Sequence, residues 1–95
     1  MMVCVVEVKF HLNSVHSLKE KRGIIKSLVE KARHRFVLSI AEVGDQDLWQ
    51  SSRVGFALVG NDKGQLESEM EKVLAFFEQS PEAEMTSASH EIWSF

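Results

Sequence analysis

The sequence is short of cysteine, of proline and of long apolar runs. One cysteine and one proline occur among 95 residues. Cys4 therefore cannot form an internal disulfide, and because it lies in a β-branched run it should pack as a small hydrophobe. We expect a structural thiol and not a reactive one. No linker or low-complexity stretch divides the chain, so residues 1–95 predict a single domain.

The amino-terminal segment MMVCVVEVKF lacks the features of a targeting sequence. No basic residue precedes its apolar run, and Glu7 interrupts that run long before it reaches the length of a signal peptide or a membrane span. We therefore expect a cytoplasmic protein that does not associate with a membrane. Apolar residues make up 44% of the chain, which is enough for one hydrophobic core.

Two periodicities follow each other in the first third of the chain. From Val3 to Leu12, apolar and polar side chains alternate as in a strand with one face in the core. Ser17 and Glu20 have the spacing of a capping box, so a helix should begin at about Leu18. Gly23 is costly inside a helix and suggests that another backbone approaches closely there. The apolar face of this helix comprises Leu18, Ile25, Leu28, Val29 and Ala32.

Two more strands and a second helix occupy the middle of the chain. Alternating patterns predict strands from Phe36 to about Val43 and from about Ser52 to Gly60. Asn61 or Asp62 should cap the second helix, and Asp62 with Gln65 repeats the capping-box spacing. The only proline of the chain ends this helix.

The last segment, from Met85 to Trp93, favours an edge strand. The element order is then strand, helix, strand, strand, helix, strand. This βαββαβ order predicts a ferredoxin-like α+β sandwich, in which two helices cover one face of a four-stranded antiparallel sheet.

Positive charge is concentrated on the first helix. Residues 16–36 hold seven basic and two acidic side chains, whereas residues 37–95 hold three basic and eleven acidic ones. Ideal helical spacing places four of the basic residues on one flank beside the buried face, with Lys21 near the first turn. The four are Lys19, Arg22, Lys26 and Arg33.

A ridge of cations along a helix is typical of a surface that contacts a phosphate backbone. We therefore predict nucleic-acid binding by Lys19, Lys21, Arg22, Lys26 and Arg33. The alternative is a solvated helix face that keeps a small domain soluble, and Glu20 and Glu30 would weaken the positive field by local pairing.

The loop between the middle strands is the second candidate surface. Within GDQDLWQSS, we assign an interaction role to Asp45, Asp47, Trp49 and Gln50. Trp49 is interpreted either as an exposed interface anchor or as a buried lid residue. In the buried interpretation, Asp47 caps a short helical turn that packs Trp49 against the core.

Two segments together resemble a known family. HSLKEKRGIIKSL, residues 16–28, and AEVGDQDLWQSSRVGFALVGND, residues 41–62, are similar to the YlxP-like family of small bacterial proteins of unknown function. The resemblance implies a ferredoxin-like fold. Members of that family are typically encoded beside genes for translation initiation and ribosome maturation, which implies a role near the ribosome. No catalytic residue is implied.

Other chemistries have weaker support in the sequence. Base stacking on the open sheet, as in RRM modules, would need more aromatic residues, so we expect Phe10 and Phe56 in the core. An acylphosphatase-like site would need an arginine in the loop after the first strand, and NSVHS has none. The four histidines lack metal-ligand spacing. We expect no enzyme activity, no metal and no small-molecule cofactor.

The functional prediction is a cytoplasmic protein that binds RNA or a ribosomal particle through the basic flank of its first helix. The alternative is a protein-interaction or regulatory module that forms a homodimer through the open sheet face. A third possibility is a sensor that binds a small anion at the amino end of the first helix, helped by Lys19 and Lys21. The open-face positions are predicted to include Val3, Val5, Val37 and Val43.

Overall fold

The computed structural model describes residues 1–95 and has the predicted βαββαβ order. Its strands and helices follow each other with short connections. They are β1 (Met2–His11), α1 (Leu18–Arg35), β2 (Ser39–Gly44), β3 (Ser51–Gly60), α2 (Lys63–Glu78) and β4 (Glu84–Ser94). Neither helix is long and apolar enough to span a membrane.

The four strands form one antiparallel sheet in the order β2-β3-β1-β4. β1 lies in the middle and pairs along its whole length with β3 and β4, so Cys4 is opposite Leu58 and Ile92. A register shift after Lys9 leaves one extra residue, Thr86, in β4. Both helices lie on one face, which confirms the ferredoxin-like α+β architecture.

The core forms between that sheet face and the two helices. Alternate residues of β1 and β3 are buried there because successive side chains of a strand point to opposite faces. Phe77 of α2 packs edge-on against Phe10 and Phe56, with ring centroids 5.5 and 6.0 Å apart. Phe10 and Phe56 therefore belong to the core, as the sequence predicted.

Both predicted helix starts are confirmed. Ser17 is the N-cap of α1 and its hydroxyl accepts a hydrogen bond from the Glu20 amide. Asp62 caps α2 in the same way, through the Gln65 amide. These side chains satisfy amide groups that have no partner within the first turn of a helix.

Two expectations for the first half of the chain were wrong. β2 begins at Ser39 and not at Phe36, because Phe36 caps the end of α1 and its amide donates to Ala32. Val37 therefore lies in the connection, 99% exposed, and is not part of the open sheet face. Gly23 is exposed, and a side chain at its position would meet nothing within 4 Å, so no backbone approaches it.

Candidate nucleic-acid interface

The basic flank of α1, defined as Lys19, Arg22, Lys26 and Arg33, faces away from α2. All four side chains are exposed. The opposite flank of α1 carries Arg35, whose guanidinium lies 5.4 Å from the ring centroid of Phe76 in α2. The basic flank therefore lies on the outer side of the helix layer, next to the edge strand β2.

None of the four cations of the basic flank forms a salt bridge. The four salt bridges of the molecule involve other cations, namely Lys21, Arg53 (in two of the bridges) and Lys72. Arg33 makes one hydrogen bond, from Nη2 to the Ile40 carbonyl of β2 at 2.8 Å. The flank spans about 21 Å from Lys19 to Arg33, at about 1.5 Å per helical residue.

Lys21 does not belong to this surface, which corrects its assignment as a phosphate-binding residue. Its side chain is completely buried. The ammonium lies 2.9 Å from Glu42 Oε2 and donates hydrogen bonds to the Asp45 and Gln46 carbonyls, at 2.7 and 3.2 Å. Three oxygen partners occupy the three donors of a lysine ammonium. No donor remains for a phosphate.

The Lys21 ammonium is the centre of a polar cluster between α1 and the hairpin of β2 and β3. Glu42 also accepts a 2.6 Å hydrogen bond from the Ser52 hydroxyl. Asp45 accepts one of equal length from Ser51 and has φ of 57°, which reverses the chain direction there. No buried polar side-chain atom lacks a partner. The cluster therefore fixes the hairpin loop to the first turns of α1.

The sequence contained a signal for this cluster. Lys21 is four residues before Ile25 and seven before Leu28, so helical spacing places it on the buried face of α1. Glu42 is likewise two residues after Ile40, on the core side of β2. A lysine and a glutamate on two buried faces are expected to pair, because an isolated buried charge is very costly.

The loop Asp45–Gln50 presents two apolar side chains to solvent. Leu48 and Trp49 are each 53% exposed. The Asp45 carbonyl, and not a side chain of Asp47, accepts from the Leu48 amide. Asp47 is exposed and caps no helical turn, so the interpretation of Trp49 as a buried lid was wrong.

Gln50 connects this loop to the chain segment before α1. Its side-chain amide donates to the Val15 carbonyl at 3.3 Å, and its own carbonyl accepts from the Leu12 amide at 3.0 Å. Together with Lys21, these bonds hold Trp49 in the neighbourhood of the amino end of α1. Of the four predicted loop residues, Asp45 and Gln50 support the loop, whereas Asp47 and Trp49 face solvent.

The amino end of α1 is occupied by its own side chains. Ser17 accepts from the Glu20 amide, and the Glu20 carboxylate accepts from the His16 amide at 3.4 Å. A carboxylate already lies where an anion would bind, and Lys21 is turned inward. The geometry does not favour a small-anion site at this position.

The open face of the sheet is apolar at one end. Val3 is paired with Val59 on one side and with Trp93 on the other, and Val5 follows with Ala57 in the next row. Val59 and Trp93 are exposed by 66% and 54%. At the opposite end of the face, Arg53 lies 3.7 Å from Glu7, and the surface becomes charged.

A cleft of about 410 Å³ lies between the loop before α1 and the connection from α2 to β4. All its ionisable side chains are carboxylates, from Glu20, Glu78, Glu82 and Glu84. No group of three or more metal-ligating side chains occurs anywhere in the molecule. This cleft would repel a phosphate, and the exposed cations lie elsewhere.

Three comparisons with known proteins found similar chains. The family model "Protein of unknown function (DUF503)" matches residues 3–90. The uncharacterized protein YlxP of Bacillus subtilis (strain 168) is 38% identical over 85 residues, which cover 90% of this chain and 92% of that protein. The crystal structure of SnoaB, a cofactor-independent oxygenase from Streptomyces nogalater, covers 99% of this chain and 92% of its own, with 10% identity and a TM-score of 0.44. That structural resemblance is too weak to support any inference about function.

Proposed function

The chain belongs to the DUF503 family of proteins of unknown function, and we propose that it is a non-enzymatic cytosolic protein that contacts RNA or a ribosomal particle. The contact is made by the basic flank of α1. One observation supports this proposal. Although the net charge of the protein is −3, four cations on one flank of α1 are exposed and form no salt bridge: Lys19, Arg22, Lys26 and Arg33.

Clustered charge explains how an acidic protein can bind a polyanion. A phosphate backbone interacts with the local field of the flank more strongly than with the distant carboxylates, because salt screens charges beyond about 10 Å. The carboxylates of the large cleft lie on the side of α1 that carries Ile24, opposite the basic flank. An approaching RNA would therefore be oriented with its phosphates toward α1.

The basic flank is held rigidly. Arg33 is tied to the Ile40 carbonyl, and the first turns of α1 are tied to the hairpin through Lys21 and Glu42. Charges on a fixed scaffold lose less conformational entropy on binding than charges on a mobile tail. Trp49, which lies near the amino end of α1, supplies a second, apolar contact for a base or for a ribosomal protein.

Phosphate contacts position a protein on RNA without reading its sequence. The affinity should therefore depend on salt and little on base sequence. Fluorescence anisotropy with a labelled, structured RNA between about 50 and about 200 mM salt measures this dependence. We expect the logarithm of the binding constant to fall linearly with the logarithm of the salt concentration.

The test variant replaces Lys19, Arg22 and Lys26 by glutamine and leaves Arg33 in place, because Arg33 also supports β2. The matched control replaces Lys31, Lys63 and Lys72 by glutamine, which gives the same net charge. The test variant should lose most of the affinity and reduce the salt slope by about 2 to 3, whereas the control should bind nearly as the wild type does. Equal binding by all three proteins would refute the proposal.

The open sheet face supports a second candidate function, a protein-interaction or regulatory module. The specific observation is the apolar row of Val59, Val3 and Trp93, in which Val59 and Trp93 are exposed. Apolar patches of this kind mark protein interfaces more often than nucleic-acid interfaces. Association through this face should persist in high salt and be lost when Val59→Asp introduces a charge.

A further inference from the structure

The two edge strands of the sheet differ in how their outward backbone groups are protected. On the outer edge of β2, the Ile40 carbonyl accepts from Arg33 Nη2 and the Glu42 carbonyl accepts from Gln46 Nε2, at 2.8 and 3.4 Å. These side chains occupy the outward acceptors that another strand would need. Edge strands are commonly protected from intermolecular pairing by such blocking groups or by being short, and β2 has only six residues.

The outer edge of β4 has no comparable protection. Met1 and Phe95 exchange two backbone hydrogen bonds, Phe95 to Met1 at 2.7 Å and Met1 to Phe95 at 3.2 Å. Because inward and outward groups alternate along an antiparallel strand, the amides and carbonyls of four other residues point away from β1. They are Ala88, His90, Ile92 and Ser94, and no side chain hydrogen-bonds to any of them.

β4 also lacks the proline and lysine residues that commonly prevent edge pairing. It is eleven residues long and contains no proline, lysine or arginine. Its bulge at Thr86 lies near one end and leaves the segment from Ser87 to Ser94 regular. Ala88 and His90, on the helix side, are exposed because α2 does not cover them.

We propose that β4 pairs antiparallel with β4 of a second copy of this chain, so that two molecules share one eight-stranded sheet. An antiparallel edge is complementary to itself about a two-fold axis, because each outward amide meets an outward carbonyl of the same strand in the other copy. A second copy can therefore pair with the free groups of this edge through one symmetric contact.

The sequence of β4 favours a register centred on His90. A two-fold axis at Glu91 would place two carboxylates directly opposite each other, which is unfavourable. An axis at Ser89 would limit the pairing to Ser87–Glu91, because the bulge ends the regular segment. An axis at His90 pairs the seven residues Ser87–Trp93 without opposing like carboxylates.

The His90-centred register places the open faces of both copies on the same side of the shared sheet. It places Ser87 opposite the partner's Trp93, so the apolar row of Val59, Val3 and Trp93 in each copy lies next to Ser87 of the other copy. Trp93, which is half exposed in one copy, gains a neighbour across the interface. Pairing through β4 leaves the basic flank free, because that flank lies at the opposite edge of the sheet.

A proline substitution tests the hydrogen bonding directly. In the wild type, sedimentation equilibrium should give a mass of about 21.6 kDa, twice the 10.8 kDa of one chain. His90→Pro removes an outward amide that β1 does not use, so the variant should fold and be monomeric. Circular dichroism checks its fold. A monomeric wild type at about 100 µM, or a folded His90→Pro variant that remains dimeric, would overturn the proposal.

Disulfide trapping tests the register even if the proline variant fails to fold. His90→Cys places a thiol opposite its own copy, at the Cα separation of about 5.5 Å that a disulfide accepts. Ser87→Cys is the control, since its two copies would lie six residues apart along the strands, or about 20 Å. Rapid dimer trapping by His90→Cys alone supports the register. Equal trapping by both variants, or by neither, contradicts it.

A competing dimer through the open face gives a different pattern. In that case Val59→Asp would separate the two copies and His90→Pro would not, and the edge proposal would be wrong. RNA binding plays no part in these measurements, so the outcome is independent of the function proposed for α1.

Discussion

Lys21 Nζ lies 2.9 Å from Glu42 Oε2, and this buried ion pair joins the first helix to the edge hairpin of the sheet. Both residues lie in the two sequence segments that resemble the YlxP-like family. The Lys21 contacts give those segments a structural explanation: they build a clamp that fixes α1, the loop Asp45–Gln50 and the start of β3 to one another. The same clamp determines where the basic flank and Trp49 lie.

Replacement of Lys21 by methionine should destabilise the protein strongly. The variant leaves Glu42 partly buried without its cation and leaves the Asp45 and Gln46 carbonyls without a donor. Breaking one side of a buried ion pair costs about 3–5 kcal/mol. Urea unfolding, followed by circular dichroism, measures the change in the free energy of unfolding.

The matched control for that change is Lys19→Met, two residues away on the exposed flank. Its free energy of unfolding should stay within about 0.5 kcal/mol of the wild-type value. Similar effects of the two substitutions would contradict the assignment of Lys21 to the clamp.

Replacement of Gly23 by alanine should stabilise the protein. Gly23 lies inside α1, is exposed, and has no atom within 4 Å of the position of an added Cβ. Alanine reduces the backbone entropy of the unfolded chain and should add about 0.5–1 kcal/mol. Thermal unfolding measures the gain. A loss of stability would contradict the placement of Gly23 at an open position inside α1.

The stability of the protein should fall in alkaline solution through Cys4. Burial raises the pKa of the Cys4 thiol, and the Glu67 carboxylate raises the pKa further. The folded state therefore retains the thiol proton at pH values where the unfolded chain has lost it. Its contribution is complete below about pH 8.5, the ordinary thiol pKa, and declines as the pH rises through the folded value.

Denaturant titrations from pH 7 to pH 10 check this prediction on the wild type and on Cys4→Ala. Alanine costs stability at neutral pH because it leaves a cavity beside Met70. The difference between the two proteins should shrink as the pH rises. A constant difference would mean that Cys4 does not titrate differently in the folded and unfolded states.

Trp49 and Trp93 provide a matched pair for separating the two candidate surfaces. Both side chains are about half exposed, at 53% and 54%. If Trp49 acts with the basic flank, Trp49→Ala should weaken RNA or ribosome association severalfold, whereas Trp93→Ala should not. Binding titrations with both variants show which of the two surfaces contacts the RNA or the ribosome. A larger loss of binding in Trp93→Ala than in Trp49→Ala would indicate that the open sheet face makes the contact.

The element order was predictable because periodicity and capping signals agreed with each other along most of the chain. Ser17 and Asp62 mark both helix starts, and alternation marks β1 and β3. The start of β2 was not predictable from alternation. Phe36 and Leu38 fit a strand pattern, but the Phe36 amide closes the last turn of α1 and its ring packs on Phe76.

The candidate site was predictable in part. Helical spacing correctly placed Lys19, Arg22, Lys26 and Arg33 on one exposed flank. The assignment of Lys21 to the basic surface was wrong, because helical spacing places Lys21 on the same buried face as Ile25. Strand alternation also places its partner Glu42 on the core side of β2, whereas the Asp45 and Gln46 carbonyls belong to a loop whose conformation no sequence pattern specifies.

Co-sedimentation with purified ribosomal subunits at low and moderate salt is the most direct test of the basic flank. The wild type and the variant Lys31→Gln, Lys63→Gln, Lys72→Gln should sediment with the subunits at low salt and be released as the salt rises. The variant Lys19→Gln, Arg22→Gln, Lys26→Gln should stay in the supernatant while remaining folded. Sedimentation of all three proteins alike, or of none of them, would contradict the proposal that α1 contacts a ribosomal particle through this flank.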